Sequence, residues 1–320
     1  MRRRDVVVFV ACGACALALG GVLIGVGTAG SPGSPSAPRS AAASGSAASD
    51  PDGEAEAAGS DVVRAIDPEL FSPGACMEYP PTQGDRDQSV FLDAGHGGLD
   101  PGGVGSTEAG ATVRESTVNL AIELDVMGIL RARGYTVVVS RTQDTTVTRL
   151  TPSDVDGSLL TVQGVFNDVT ARDVCANMAG ANVLVGIYMN SGEPWNAGSL
   201  TGYDQDRPFS AGNRRLATLL QDDVLGAMNA QGWNIPGDGV QPDTGLGSAL
   251  TAAAEAYGHL LLLGPAKAGY YETPSQMPGA LIEPLFVTDP FEASIAASAH
   301  GQQVIASALA KAIEQYFTGS

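Results

Sequence analysis

Apolar positions along this chain fall into three regimes. From Val6 to about Val26 they are nearly continuous and uncharged, directly behind Met1-Arg2-Arg3-Arg4. From Ser31 to about Asp61 they give way to Ser, Ala, Gly and Pro, with acidic residues at the end. Beyond that, short apolar runs alternate with stretches of helical spacing. Residues 89–93 (Ser-Val-Phe-Leu-Asp) predict a strand that enters the tight loop Ala94-Gly95-His96-Gly97-Gly98. Val118, Ile122, Leu124, Met127 and Leu130 recur near helical spacing and predict a helix over 116–133, capped by Ser116 or Thr117 and ended by Gly134. The β-branched run 135–140 predicts a second strand. Strand, helix and strand of these lengths form a right-handed βαβ unit and predict a largely parallel sheet.

Residues 145–169 lack clean periodicity and read as an insertion over one face. Residues 171–180 read as the end of a helix and 182–187 as a buried strand. Leu216, Leu219, Leu220, Val224, Leu225 and Met228 predict a helix over 214–231. Two more strands are predicted at 259–263 and 280–287, and a terminal helical segment at 291–317. The fold class is α/β, a mostly parallel sheet sandwiched by helices, without internal repeats.

The first regime sets the compartment. About 20 apolar residues can span a bilayer, and the arginines place the N-terminus on the cytoplasmic side. Residues 1–30 therefore read as an N-terminal membrane anchor, or as a signal segment cleaved among the small residues from Gly27 onward. Residues 31–74 read as a disordered, acidic Ser/Ala/Gly/Pro-rich linker, and 75–320 as one large folded domain. The expected location is extracytoplasmic, anchored to the membrane or secreted. Outside the anchor the cysteines are Cys76 and Cys175. In an exported domain they suggest one disulfide, with two separate buried thiols as the alternative. Seventeen basic against 35 acidic residues give a net charge of -18, which argues against nucleic acid and against electrostatic docking on anionic polymers.

In open α/β sheets, sites collect at the C-terminal ends of strands. Near such ends stand His96, Glu115 at the start of a helix, Tyr188 after the strand ending at Ile187, and Glu283. A histidine, two carboxylates and a phenol on one face suit metal-assisted hydrolysis.

The block Leu92-Asp93-Ala94-Gly95-His96-Gly97-Gly98-Leu99-Asp100-Pro101-Gly102-Gly103-Val104-Gly105 resembles the opening motif of the zinc-dependent N-acetylmuramoyl-L-alanine amidases of the amidase 3 family. Glu115 with Asn119-Leu120-Ala121-Ile122, then Gly134-Tyr135-Thr136-Val137 and Ser140-Arg141-Thr142-Gln143-Asp144, continue the likeness in order. So do Arg172, Asn177 and Ala181-Asn182-Val183-Leu184-Val185, and finally Pro278-Gly279-Ala280-Leu281-Ile282-Glu283-Pro284-Leu285-Phe286 with Asp289-Pro290. The resemblance implies a phosphorylase/hydrolase-like amidase domain acting on peptidoglycan; the chain is expected to be a monomer. It implies His96 and Glu115 as zinc ligands and Glu283 as the catalytic residue. Such an enzyme cleaves the amide between the lactyl group of N-acetylmuramic acid and L-alanine with zinc-activated water.

One position departs. Where the family carries its third ligand, a histidine, this chain reads Gly186-Ile187-Tyr188-Met189-Asn190. A phenol with an ordinary pKa of about 10 is costly to deprotonate at neutral pH. Zinc is therefore expected to be held weakly or not at all. The alternative function is a catalytically impaired relative that binds peptidoglycan or a cell-division partner. His259 is the other candidate nitrogen donor, read as an ordinary buried or surface histidine at the start of a strand.

Overall fold

The computed structural model of the chain describes residues 62–246 and 251–319. The expected anchor and most of the expected linker lie outside the described residues. Residues 62–74, which the composition placed in that linker, are part of the domain: β1 (Arg64–Ala65) pairs antiparallel with β2 (Ala75–Tyr79), and Phe71 is buried. The apolar side chain of Phe71 roots this segment, whereas composition averaged over the region diluted its signal.

The central sheet adds β3 (Ser89–Ala94), β6 (Thr136–Arg141), β9 (Val183–Ile187), β10 (Ser199–Tyr203), β11 (Gly237–Pro242) and β12 (Gly279–Glu283) in the order β1-β2-β6-β3-β9-β12-β10-β11. The four strands β6, β3, β9 and β12 run parallel; β2 and β10 are antiparallel to their neighbours on that block. Two small hairpins, β4 (Val104–Ser106) with β5 (Thr112–Arg114) and β7 (Val155–Asp156) with β8 (Leu159–Leu160), lie outside it. The mostly parallel mixed sheet agrees with the sequence reading.

On one face pack α1 (Glu115–Ala132), α3 (Ser210–Ala230) and α6 (Ala299–Thr318), preceded by the short α5 (Pro290–Ala296). Each long helix buries a stripe at spacing four: Val118, Ile122, Val126 and Leu130; Leu216, Leu220, Val224 and Met228; Ile305, Leu309 and Ile313. The other face is covered by α2 (Val162–Met178), the one-turn α4 (Ala252–Glu255) and irregular chain. Helix α2 begins inside the expected insertion, where Thr161 Oγ1 accepts from Gly164 N–H at 3.0 Å. Its periodicity is broken in sequence because the inward face carries Asp168, Arg172 and Asp173, all buried. Cys76 on β2 and Cys175 on α2 are joined by an S–S bond of 2.06 Å.

Two expected strands differ, and two strands were not expected. Residues 259–263 form turns rather than a strand, with Leu263 and Gly264 N–H both bonded to Leu260 O; a run of four leucine-rich residues does not separate strand from buried turn. The last core strand stops at Glu283, because Pro284 has no N–H for the ladder. Strands β10 (Ser-Leu-Thr-Gly-Tyr) and β11 (Gly-Asp-Gly-Val-Gln-Pro) carry no apolar alternation and were not expected.

Candidate active site

The parallel strands β3, β9 and β12 are neighbours, with Ala94 opposite Ile187 and Ile187 opposite Ile282. Their C-terminal ends therefore bring His96, Tyr188 and Glu283 together, and α1 starts at the same edge with Glu115. All four line one cavity. The sequence placed all four here.

His96 has a left-handed backbone, φ 64°, uncommon outside glycine. Its ring is held at both nitrogens: Nδ1 lies 2.8 Å from Asp100 Oδ2 and Nε2 lies 3.1 Å from Glu115 Oε1. Glu115 is buried; its Oε2 accepts from Gly103 N–H at 2.7 Å and its Oε1 from Met189 N–H at 3.0 Å. Asn119, one turn along α1, reaches both Glu115 Oε1 and Gly95 O. A Cβ at Gly102 would stand 2.7 Å from both Glu115 Oε2 and His96 Cδ2, so only glycine lets the loop close on this pair.

Burial disfavours the imidazolium, but Asp100 and Glu115 outweigh it and raise the His96 pKa well above its usual value. Burial likewise opposes ionisation of Asp100, yet His96 and the Gly102 N–H hold its carboxyl at about 2. Glu283 differs: its side chain is buried, Oε2 has no hydrogen-bond partner among the described residues, and burial, assisted by Glu115, pushes its pKa up to about 8.

Tyr188 is placed next to His96, ring centroids 5.4 Å apart, but its hydroxyl is turned to another partner. It donates to Asp93 Oδ2 at 3.0 Å, while Arg172 Nη1 bonds Asp93 Oδ1 at 2.5 Å and Arg172 Nη2 bonds His96 O at 2.9 Å. Burial first, then the Asp93 charge, raises the phenol pKa well above its ordinary value. Tyr188, the doubtful third ligand of the sequence reading, stands here as a hydrogen-bond donor to the Asp93–Arg172 pair. A Cβ at Gly95 would fall 2.2 Å from the Tyr188 ring, so glycine there is what lets the phenol lie flat on the loop.

A divalent cation fits the remaining donors. The 3.1 Å between His96 Nε2 and Glu115 Oε1 suits two ligands sharing one ion at about 2.0–2.2 Å each. Asp100 on the other ring nitrogen is the carboxylate partner that metal-bound histidines usually have. The unpartnered Glu283 carboxyl gives the site an acid–base group beside that pair. Sequence reasoning missed Asp100, although a carboxylate four residues beyond a candidate ligand was the available signal. It also missed the role of Asp93.

Below the polar end the cavity continues between Val165, Val169, Leu246, Leu260, Leu262 and Leu281, an apolar wall contributed by α2, β12 and the irregular chain.

Comparison with known proteins agrees with this geometry. Residues 90–315 match the Amidase_3 family, N-acetylmuramoyl-L-alanine amidase. The germination-specific N-acetylmuramoyl-L-alanine amidase of Bacillus subtilis is 26% identical over 231 residues, 72% of this chain and 79% of that protein. In fold, the chain is similar to the CwlD amidase of Clostridioides difficile, solved in complex with the GerS lipoprotein, with a TM-score of 0.54 and 21% identity over 73% of this chain and 100% of that one. The AmiC2 amidase of Nostoc punctiforme gives a TM-score of 0.50 and 23% identity, covering 73% and 99%. With its site at the carboxyl ends of β3, β9 and β12, the chain belongs to the N-acetylmuramoyl-L-alanine amidase family and is a peptidoglycan hydrolase of the cell wall.

Proposed function

We propose that this amidase works with a zinc ion held by His96 and Glu115, and with Glu283 as its acid–base residue. The observation that carries the reading is the buried, unpartnered Glu283 carboxyl beside the His96–Glu115 pair. When bound, the ion supplies Lewis-acid polarisation of the scissile carbonyl and of a water molecule. Glu283 takes the proton from the attacking water and delivers it to the leaving amine of L-alanine. A pKa displaced toward the working pH suits both halves of that transfer. Asp100 and Asn119 keep the His96 ring and the Glu115 carboxylate in place, and the bonded Asp93–Arg172–Tyr188 set fixes the loop behind them.

With two protein ligands where catalytic zinc usually has three, the ion is held loosely and exchanges readily. We place the domain outside the cytoplasmic membrane, tethered by the N-terminal segment and acting as a monomer. The Arg-flanked apolar run and the Cys76–Cys175 bond support that location. Among the described residues no helix is long and apolar enough to cross a membrane. Elemental analysis at graded zinc concentrations tests the reading. Zinc bound in proportion to hydrolytic rate, and lost in His96→Ala, is expected; hydrolysis undiminished after exhaustive chelation would overturn it.

A further inference from the structure

A second set of metal-ligating side chains lies at the opposite edge of the sheet. Strand β10 is antiparallel to β12, with Leu200 opposite Glu283 and Gly202 opposite Leu281, so its C-terminal end points away from the active site. Asp204 follows that end, and Asp243 follows the end of β11, which pairs with it through Tyr203 and Pro242. His259, from the irregular chain after α4, comes between the two carboxylates. Its Nδ1 lies 2.9 Å from Asp204 Oδ2 and 3.3 Å from Asp243 Oδ2. One donor atom from each of the three lies within 4.8 Å of the others.

The hydrogen bonding of this cluster is incomplete. Both aspartates have 0% exposure, yet Asp204 Oδ2 and Asp243 Oδ1 accept no hydrogen bond among the described residues. The 2.9 Å approach of Asp204 Oδ2 to the imidazole nitrogen is therefore close without being directed along an N–H. That relation is poor for a hydrogen bond, which prefers a nearly straight N–H···O angle. It is ordinary for two ligands of one ion, each pointing at the metal rather than at the other.

We propose that Asp204, Asp243 and His259 form a binding site for a divalent transition-metal ion, separate from the active site. One imidazole and two carboxylates suit zinc or manganese, with water completing the shell. The His259 ring is partly exposed, 16%, and leaves a route of entry. The ion ties the chain around Leu260–Leu262, which walls the apolar part of the active-site cavity, to the ends of β10 and β11. Asp243 already holds that chain by accepting from Leu260 N–H at 3.0 Å. The proposal does not depend on the zinc reading of the active site.

The test uses the full-length chain carrying His96→Ala, so that no ion at the active site is counted. After chelation, the chain is loaded with zinc or manganese chloride alone, dialysed and analysed for metal and for melting temperature. Near-stoichiometric metal and a raised melting temperature are expected, both lost on adding Asp204→Asn or His259→Gln. If the aspartate variant does not fold, the partly exposed His259→Gln decides. Absence of bound metal in the His96→Ala chain, or metal retained in His259→Gln, would overturn the proposal and leave the cluster sharing a proton.

Discussion

Tyr188 donates its hydroxyl to Asp93 Oδ2 at 3.0 Å, and Arg172 holds the other oxygen of the same carboxylate. The residue at the family's third ligand position is thus part of the buried scaffold under the His96–Glu115 pair. Tyr188→Phe keeps the ring on Gly95 and removes only the hydroxyl. It is expected to cost about 1–3 kcal/mol in stability, the usual effect of stranding a buried acceptor, and to leave the rate of hydrolysis within a few-fold. Denaturant unfolding and peptidoglycan turnover check this; loss of zinc with loss of activity would show the phenol to be a ligand.

Tyr188→His supplies the missing nitrogen donor. A carboxylate or carbonyl behind a ligand is worth roughly 10–100-fold in metal affinity, and a restored ligand should bring at least that. Competition with a fluorescent chelator measures the gain, which is expected together with faster hydrolysis at limiting zinc. Unchanged affinity would mean that His96 and Glu115 are not the metal pair.

Much of this site was legible because four chemical groups sat next to recognisable strand or helix ends. His96, Glu115 and Glu283 are each fixed by a neighbouring backbone element, so their spacing in sequence carried their convergence in space. The Tyr188 hydroxyl was different: its direction depends on Asp93 and Arg172, whose pairing joins β3 to α2 across 79 positions. The strands β10 and β11 escaped for a related reason. All five residues of β10 are buried, but its glycine, serine and threonine carry no hydrophobic period; flanking strands pair their backbone, and Gln221 of α3 meets the side chains of Ser199 and Thr201. The polar stripe Glu115, Asn119 and Glu123 repeats every four residues along α1 and is entirely buried. That spacing was visible, and it marks the face turned to the strand ends, where Glu123 Oε1 accepts from Ala94 N–H at 2.9 Å.

Glu283→Gln is expected to reduce hydrolysis by about 10²–10⁴-fold, the usual share of a general acid–base residue. Steady-state release of stem peptides measures it, with zinc content unchanged; a loss below tenfold would remove Glu283 from proton transfer.

The same carboxyl gives a pH signature in the metal-free chain. Burial raises Glu283 from 4.5 to about 8, and Glu123 and Glu292 shift in the same sense to about 8. Between those values the folded state holds more protons than the unfolded state. Stability is therefore full below the unfolded value and falls as pH rises through about 8. Melting temperature measured from pH 5 to 8.5 under chelation should decline, and Glu283→Gln should flatten the decline. A rise over that range would contradict the assignment.

The bond between Cys76 and Cys175 closes a loop across 99 positions. In the chain-entropy account a loop of that length is worth about 4–5 kcal/mol. Replacing both cysteines by serine should lower the unfolding free energy by a few kcal/mol, with the zinc-dependent rate retained at low temperature. An unchanged denaturant midpoint would show that the bond adds nothing.

The most direct measurement is the product itself. The full-length chain, with zinc supplied, is incubated with purified peptidoglycan and the soluble fraction is examined by mass spectrometry. The account predicts stem peptides bearing a free N-terminal L-alanine, released by the wild-type chain and not by Glu283→Gln. A folded, zinc-supplied chain that releases no such peptide would contradict it.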